Sequence, residues 1–386
     1  MIVFFWFGLT WVIYVYVGYP LIVAALRVVR KVRPNARDAF LPKVSVLIAA
    51  RNEEKDIEWK IRETLSWDYP SDRLELLVAS DMSEDSTDEI VLGINDPRLF
   101  FLRLEKRGGK NVALNALVER ASGELLFFTD ANSHIGKDCL QRIVRHFADL
   151  RVGCVTGEML YDSGEADDAS ATGERAYWGY ESLIKSVESA IGSVLVCVGS
   201  VFCIRRSLFA PLHPELANDL ELPMRIGGAN RWILYEKQAC SIEKISRSPR
   251  EEYARRRRIC AQGMLGMWRL QDQLRGLRGW QFLSRKFLRW LGVVPLGLLM
   301  ISSVVLMNRP FFAALAALQF IFYGLALAGW VLVSCSRPVP RAAWIPFFIL
   351  LVNVAALVGV VEACRGRRFA TWEIATLSRG REGITL

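Results

Sequence analysis

Hydrophobic and polar positions change their pattern twice along this chain. Residues 1–26 contain no charged side chain, enough for a helix across a hydrocarbon core of about 30 Å. Arg27, Arg30, Lys31, Arg33 and Arg37 follow at once. The segment lacks the basic start and small-residue cleavage site of a signal peptide, so it reads as a retained anchor. Basic residues on its inner flank place the N-terminus outside and the following domain in the cytoplasm. From Lys43 the pattern alternates. Val44–Ala49, Leu74–Ala79, Leu99–Leu104 and Leu125–Thr129 are short apolar runs that predict strands. A helix-like stretch runs to Trp67 and another begins near Val112. Continuous apolar strands alternating with helices predict an α/β domain, its mostly parallel sheet covered by helices on both faces.

Residues 164–173 are rich in Gly, Asp and Ala and read as a flexible loop. Tyr253–Trp290 interleaves apolar and basic residues with Trp anchors, the pattern of amphipathic helices in a membrane interface. Apolar spans follow near 291–307, 311–333 and 343–363. The chain thus divides into an anchor (1–26), a cytoplasmic domain (27–246), interface helices (247–290), a transmembrane region of about three helices (291–364) and a basic tail (365–386). Three crossings would put that tail outside, yet it carries Arg365, Arg367, Arg368, Arg379 and Arg381. Either one segment does not fully cross or the charge rule fails here.

Composition adds a charge of +9, concentrated after the anchor and between Arg247 and Arg289, where twelve Lys/Arg face three acids. Such a window suits anionic headgroups or polyphosphates. No zinc-finger, RRM or helix-turn-helix signature accompanies it, which argues against nucleic acid. Eight scattered cysteines without CxxC spacing read as small buried hydrophobes in a reduced compartment, and three dispersed histidines form no zinc pattern.

The chemistry sits at strand ends, where open α/β sheets bind ligands. Asp81 ends the second strand and Asp130 the fourth. Either alone would serve as a cap or turn residue. Two on one sheet edge point to hard-oxygen ligands for Mg²⁺ or Mn²⁺ holding a diphosphate. Gly108-Gly109-Lys110 precedes a helix; glycines admit a close phosphate and Lys110 adds a point charge. Asn218-Asp219 opens another helix, as an ordinary N-cap or with Asp219 as a general base. Arg255-Arg256-Arg257-Arg258-Ile259 closes the series; Arg255 and Arg258, three apart, share a helix face.

Together these residues resemble the processive, membrane-bound inverting glycosyltransferases of family 2, which include cellulose, chitin, hyaluronan and poly-N-acetylglucosamine synthases. The resemblance covers nearly the whole chain, and only the combination of motifs is specific. It implies a GT-A-like fold and a multi-pass protein of a bacterial-type inner membrane. The donor would be a nucleotide-diphosphate sugar, a UDP-hexose or UDP-N-acetylhexosamine, and the acceptor a growing β-linked polysaccharide. The alternative is transfer of a single sugar to a polyprenyl-phosphate lipid. Ala49, Arg51, Glu53, Asp81, Lys110, Asp130, Arg255 and Arg258 would bind the donor. The DxD motif falls on Asp130 and Asn132, which would hold the metal. Asp219 would be the base, with Gly199, Ser200 and Trp372 at the acceptor. Protein partners are not identified by these residues.

Three positions depart from that pattern. Asn132 replaces the second Asp of DxD. Asn218 replaces an acid and leaves Asp219 without a like-charged neighbour to raise its pKa. Ile259 replaces a Trp that stacks near the acceptor; Trp268 reads first as an interface anchor, with substitution for that Trp as the alternative.

Overall fold

The computed structural model describes residues 1–162, 169–244 and 248–369. Its centre is one eight-stranded sheet: β1 (Val44–Ala50), β2 (Leu74–Ser80), β3 (Leu99–Arg103), β4 (Leu125–Asp130), β5 (His134–Ile135), β6 (Val152–Asp162), β7 (Phe202–Arg205) and β8 (Trp232–Lys244). Spatial order is β3-β2-β1-β4-β7-β6-β8-β5. All four strands read from the pattern are present, and β3, β2, β1 and β4 are mutually parallel. The other half is mixed, because β7 runs antiparallel to both β4 and β6. The long β6 escaped the pattern reading because register shifts against β8 near Gly153 and Gly157 break its period-two alternation. Gly157 admits no side chain: a Cβ there would lie 2.1 Å from the Ala239 carbonyl oxygen.

Helices α1 (Ile2–Val29), α2 (Ile57–Leu65), α3 (Thr87–Leu92), α4 (Lys110–Arg120), α5 (Cys139–Val144), α6 (Ala169–Ser189) and α7 (Asn218–Gly228) accompany the sheet. Successive strand residues point to opposite faces. Val44, Val46 and Ile48 pack with Ile57 and Ile61 of α2 and with α5, whereas Leu47 and Ala49 pack with Ala113, Leu114 and Leu117 of α4. Every residue of β1 is buried, as a central parallel strand covered on both faces requires. The register sets Ala49 opposite Asp130 and Ala50 opposite Ser80, so the polar strand ends share one edge. The segment read as a loop over 164–173 is helical from Ala169, where α6 begins; residues 164–168 lie outside the described residues.

Five more helices complete the chain: α8 (Pro249–Arg269), α9 (Gly276–Trp290), α10 (Val293–Val305), α11 (Pro310–Ser334) and α12 (Arg341–Cys364). Of the described residues, α1, α11 and α12 are each long and apolar enough to cross a membrane. The span expected near 291–307 is only 13 residues, about 20 Å of helix, and meets α9 at a 57° bend. The α9–α10 pair runs antiparallel along α1. Trp280 lies against Tyr19, Trp11 Nε1 donates to the Leu288 carbonyl at 3.1 Å, and Gly8 faces Pro295. The interface reading of α8 is incomplete, since it packs lengthwise on α12 with Cys260, Ala261 and Met264 buried against Ala356 and Val360.

A buried ionic cluster fastens these helices to the sheet domain. Arg285 of α9 donates to Glu181 at 2.8 Å and to Glu188, both on α6. The Tyr19 hydroxyl of α1 also donates to Glu188, and Arg289 pairs with Glu181. Removing one partner from such a cluster leaves a buried charge uncompensated. Arg285→Leu is expected to lower stability by about 3–5 kcal/mol; a thermal midpoint in detergent equal to that of the parent would refute the cluster's role.

Candidate functional site

A cavity of about 350 Å³ opens at the carboxyl edge of the sheet, beneath α8. Ala49, Glu53, Lys110, Asp130, Asn132, Gly199, Ser200, Asp219, Arg255 and Arg258 all line it. Arg51 and Asp81 build its wall instead. Asp81 is fully buried and accepts the amides of Gly108 at 2.7 Å and Gly109 at 3.0 Å. Gly109 has φ 85°, a left-handed conformation that favours glycine, and α4 starts from it with Lys110. Arg51 donates to the carbonyls of Asp81 and Met82 at 2.8 and 3.0 Å and pairs with Glu84. Trp372 lies outside the described residues.

Lys110 Nζ is ion-paired with Asp130 across the cavity floor. Burial works to lower the Lys110 pKa, but Asp130, then Asp219 and Glu243, hold it above the ordinary lysine value. Below the floor, Lys60 is completely buried, a residue that sequence reasoning missed. It donates to the Ser133 carbonyl at 2.6 Å, and the Ser133 hydroxyl donates back to the Asp130 carbonyl at 2.9 Å. Burial lowers the Lys60 pKa. This relay sets the turn that carries Asp130 and Asn132. The donor set, one carboxylate (Asp130) and one amide oxygen (Asn132), suits a divalent cation of the Mg²⁺ or Mn²⁺ type. No cluster of three acidic, His or Cys ligands occurs among the described residues, so the protein alone offers no full cage.

Asp219 owes its position to a proline. Pro223 has no N–H, so the Asp219 carbonyl has no partner one turn on in α7. It accepts the amide of Cys197 at 2.9 Å instead. The Val198 amide bonds Thr156 Oγ1 at 2.8 Å, and Leu195 N–H bonds Glu188 at 3.1 Å. These three bonds hold residues 195–200 as a strap beside Asp219. A Cβ on Gly199 would lie 3.6 Å from Asp219 Oδ2, so the glycine leaves that carboxylate open to the cavity. Burial raises the Asp219 pKa; Lys110 and Lys286 pull it down and Asp130 pushes it up. The like charge missing at Asn218 is therefore replaced by desolvation and by a carboxylate across the cavity. Asn218 itself is buried, with Nδ2 meeting no acceptor among the described residues.

Glu243, at the end of β8, is a second residue missed from the sequence, where it sits in an unremarkable polar stretch. It lines the cavity, hydrogen-bonds Ser200, and has its pKa raised by burial and then by Asp130. On α8, Glu252 is buried and takes both Arg255 and Arg256, at 2.5 Å each. Arg257 turns to Glu362 of α12 at 3.5 Å. Arg255 and Arg258 thus face the cavity while their neighbours serve packing. Trp268 is 43% exposed and lies outside the lining. The aromatic at this end is Phe369, beside Ile259 and tied by Gln262 Nε2 to its carbonyl at 3.1 Å.

Comparison with known proteins agrees with this geometry. Residues 45–211 match Glycosyl transferase family 2. The chain carries a family 2 glycosyltransferase domain. It is 27% identical over 239 residues to a beta-monoglucosyldiacylglycerol synthase of Synechocystis sp., covering 58% of this chain and 49% of that protein. It is 26% identical over 196 residues to an N-acetylglucosaminyltransferase of Neorhizobium galegae, covering 49% and 45%. The chain spans about half the length of the curated relatives it matches. A mannosyltransferase from Pyrobaculum calidifontis, solved with GDP-Man and Mn²⁺, superposes with TM-score 0.66 over 91% of this chain and 97% of the other, at 20% identity. That likeness establishes the GT-A-like fold, extending through the C-terminal helices.

Pro223→Ala restores an N–H that competes with Cys197 for the Asp219 carbonyl. Amide exchange across Cys197–Ser200 is expected to quicken by about tenfold, the equivalent of one ordinary hydrogen bond, while global stability holds. Unchanged exchange would show that the strap does not depend on the proline.

Proposed function

We propose that this protein is an inverting hexosyltransferase that moves a sugar from a nucleotide-diphosphate donor to a hydroxyl delivered from the bilayer. The observation that carries this reading is one cavity containing a desolvated carboxylate, Asp219, opposite a Lys110–Asp130 pair and beneath Arg255 and Arg258. Ala49 and Glu53 border the donor, while Arg51 and Asp81 shape the loops that receive it. Lys110, Arg255 and Arg258 grip the diphosphate. Mg²⁺ or Mn²⁺ held by Asp130 and Asn132 would supply electrostatic stabilisation of the leaving diphosphate.

Asp219 removes the acceptor hydroxyl's proton as the oxygen bonds to the anomeric carbon. The bond to the diphosphate breaks in the same displacement and its electrons leave with the phosphate. One displacement inverts the anomeric centre, so an α-linked donor gives a β-linked product. The named relatives, a glucosyl-lipid synthase and N-acetylglucosaminyltransferases, favour UDP-glucose and UDP-N-acetylglucosamine as first donors.

The protein sits in a membrane with the sheet domain in the cytoplasm. Phe369 lines the catalytic cavity and Arg368 pairs with Glu215 at 2.8 Å, so the chain after α12 returns to the side of the sheet domain. The segments between them then cross an even number of times, and the tail arginines obey the positive-inside preference.

Purified enzyme in nanodiscs, given a panel of UDP- and GDP-sugars, is expected to release nucleoside diphosphate with one class of donor and to form a β-linked product. A single-sugar glycolipid supports the lipid acceptor, and a ladder of lengths supports the polysaccharide that the sequence suggests. Asp219→Asn is expected to cut transfer by about 10²–10⁴-fold, the ordinary range for a general base. The pH profile supplies a further check. Asp219 works only when ionised, so kcat/KM falls as pH drops through its raised pKa. Lys110 lowers that pKa, and Lys110→Met is expected to move the acid limb to higher pH. An acid limb that stays in place would contradict the assignment.

A further inference from the structure

The cavity at the sheet edge holds one carboxylate that the transfer described above does not use. Glu243 stands near the end of β8 and lines the same cavity as Asp130 and Asn132. Sheet register explains how it arrives there. β5 begins two residues after Asn132, and its His134 lies opposite Ile242 in antiparallel pairing. Carried one residue further, that register sets Glu243 level with Ser133, the residue between Asn132 and His134. An acid from far downstream is therefore delivered beside the turn in which Asn132 stands where an acid would be expected.

Charge decides what that acid can do. Asp130 is ion-paired with Lys110, so the turn carrying Asp130 and Asn132 presents no net charge to a cation. Arg255 and Arg258 line the cavity too and add positive charge. A dication gains little from a neutral pair, because attraction and repulsion nearly cancel. Glu243 changes that sum. Among its charged neighbours Asp130 acts on it most strongly, and Glu243 in turn acts on Lys110. Two carboxylates close together in a dry cavity repel, and a shared cation removes the repulsion. Ser200 hydrogen-bonds Glu243 and contacts Ser241 Oγ at 2.9 Å, so the carboxylate is oriented from the protein side. One hydroxyl leaves most of a carboxylate's lone pairs open. The competing use, an ion pair with Arg255, is the weaker one, since Arg255 is already held by Glu252 at 2.5 Å.

We propose that Glu243 is the second carboxylate of the divalent-cation site, supplied by β8 in place of the acid missing at position 132. Asp130, the Asn132 amide oxygen and Glu243 form the protein's share of the shell, and the donor diphosphate contributes the remaining oxygens. Mg²⁺ and Mn²⁺ favour this mixture of one or two carboxylates with substrate phosphates. The assignment rests on the transferase reading above and names where its metal takes a second negative charge.

Metal binding is testable without turnover. Mn²⁺ is titrated into the full chain in nanodiscs, alone and with UDP, and free Mn²⁺ is followed by its EPR signal. Glu243→Gln keeps the shape of the side chain and removes its charge. It is expected to weaken Mn²⁺ binding by about tenfold, equivalent to 1.4 kcal/mol. Asn132→Asp added to Glu243→Gln returns a carboxylate to the turn and is expected to recover most of that loss. A role confined to packing or to Arg255 would give no such recovery. UDP binding measured in EDTA should be the same in all these forms. Should Glu243→Gln not fold, Glu243→Asp keeps the charge but withdraws it by one methylene, and binding about threefold weaker is expected. Unchanged Mn²⁺ affinity in a folded variant overturns the proposal, as does a double variant that binds no better than Glu243→Gln. Failure of the transferase reading looks different: no nucleotide sugar would be cleaved, while Mn²⁺ binding would still depend on Glu243.

Discussion

The arrangement depends most on one buried carboxylate, Glu188. It receives the Tyr19 hydroxyl from α1, the Arg285 guanidinium from α9 and the Leu195 amide from the strap beside Asp219. Three regions far apart in sequence therefore meet on two oxygens. A carboxylate in so dry a place persists only when its lone pairs are filled by good donors. Its counter-ion Arg285 is shared with Glu181, which also holds Arg289, so the membrane helices have one favourable seating on α6. Because the same group holds the strap, the seating of these helices also sets the wall of the cavity beside Asp219.

The donor side rests on a different device. Asp81 uses its charge to organise a glycine turn, and that turn starts α4 with Lys110 aimed at Asp130. Lys60 braces the Asp130 turn from underneath. The catalytic charges are thus carried by loops that are themselves hydrogen-bonded to buried ionic groups. Preorganisation of this kind is what lets an electrostatic site act without reordering when charge develops on a leaving group. Asn132 stands where a second carboxylate would be expected, which leaves Asp130 as the charged member of that motif, paired with Lys110.

At the acceptor end the departures from the family pattern form a consistent set. Ile259 gives up the aromatic, Phe369 brings one back from beyond α12, and the thinner wall separates the catalytic site from an apolar cavity within the membrane helices.

Much of the candidate site's layout was legible in the sequence. Continuous apolar runs located β1 to β4, and because parallel strands align their carboxyl ends, Asp81 and Asp130 could be placed on one edge from their positions alone. The spacing of Arg255 and Arg258 likewise placed both on one helix face, and both line the cavity. What the pattern could not show is what depends on contacts between distant segments. Glu243, Lys60 and Phe369 lie in stretches without a motif, and their importance comes from neighbours distant in sequence, as with Ser133, 73 residues beyond Lys60, or from a return of the chain after the last helix. Asp81 had the right place but a different partner, since no local signal says whether a strand-end acid faces a ligand or a backbone amide. The raised pKa of Asp219 is likewise a property of burial, which one sequence position does not encode. Local periodicity determined the strands, the anchor and the strand-end acids; only tertiary packing, by setting which charges lose water and which groups then satisfy them, decided how they act together.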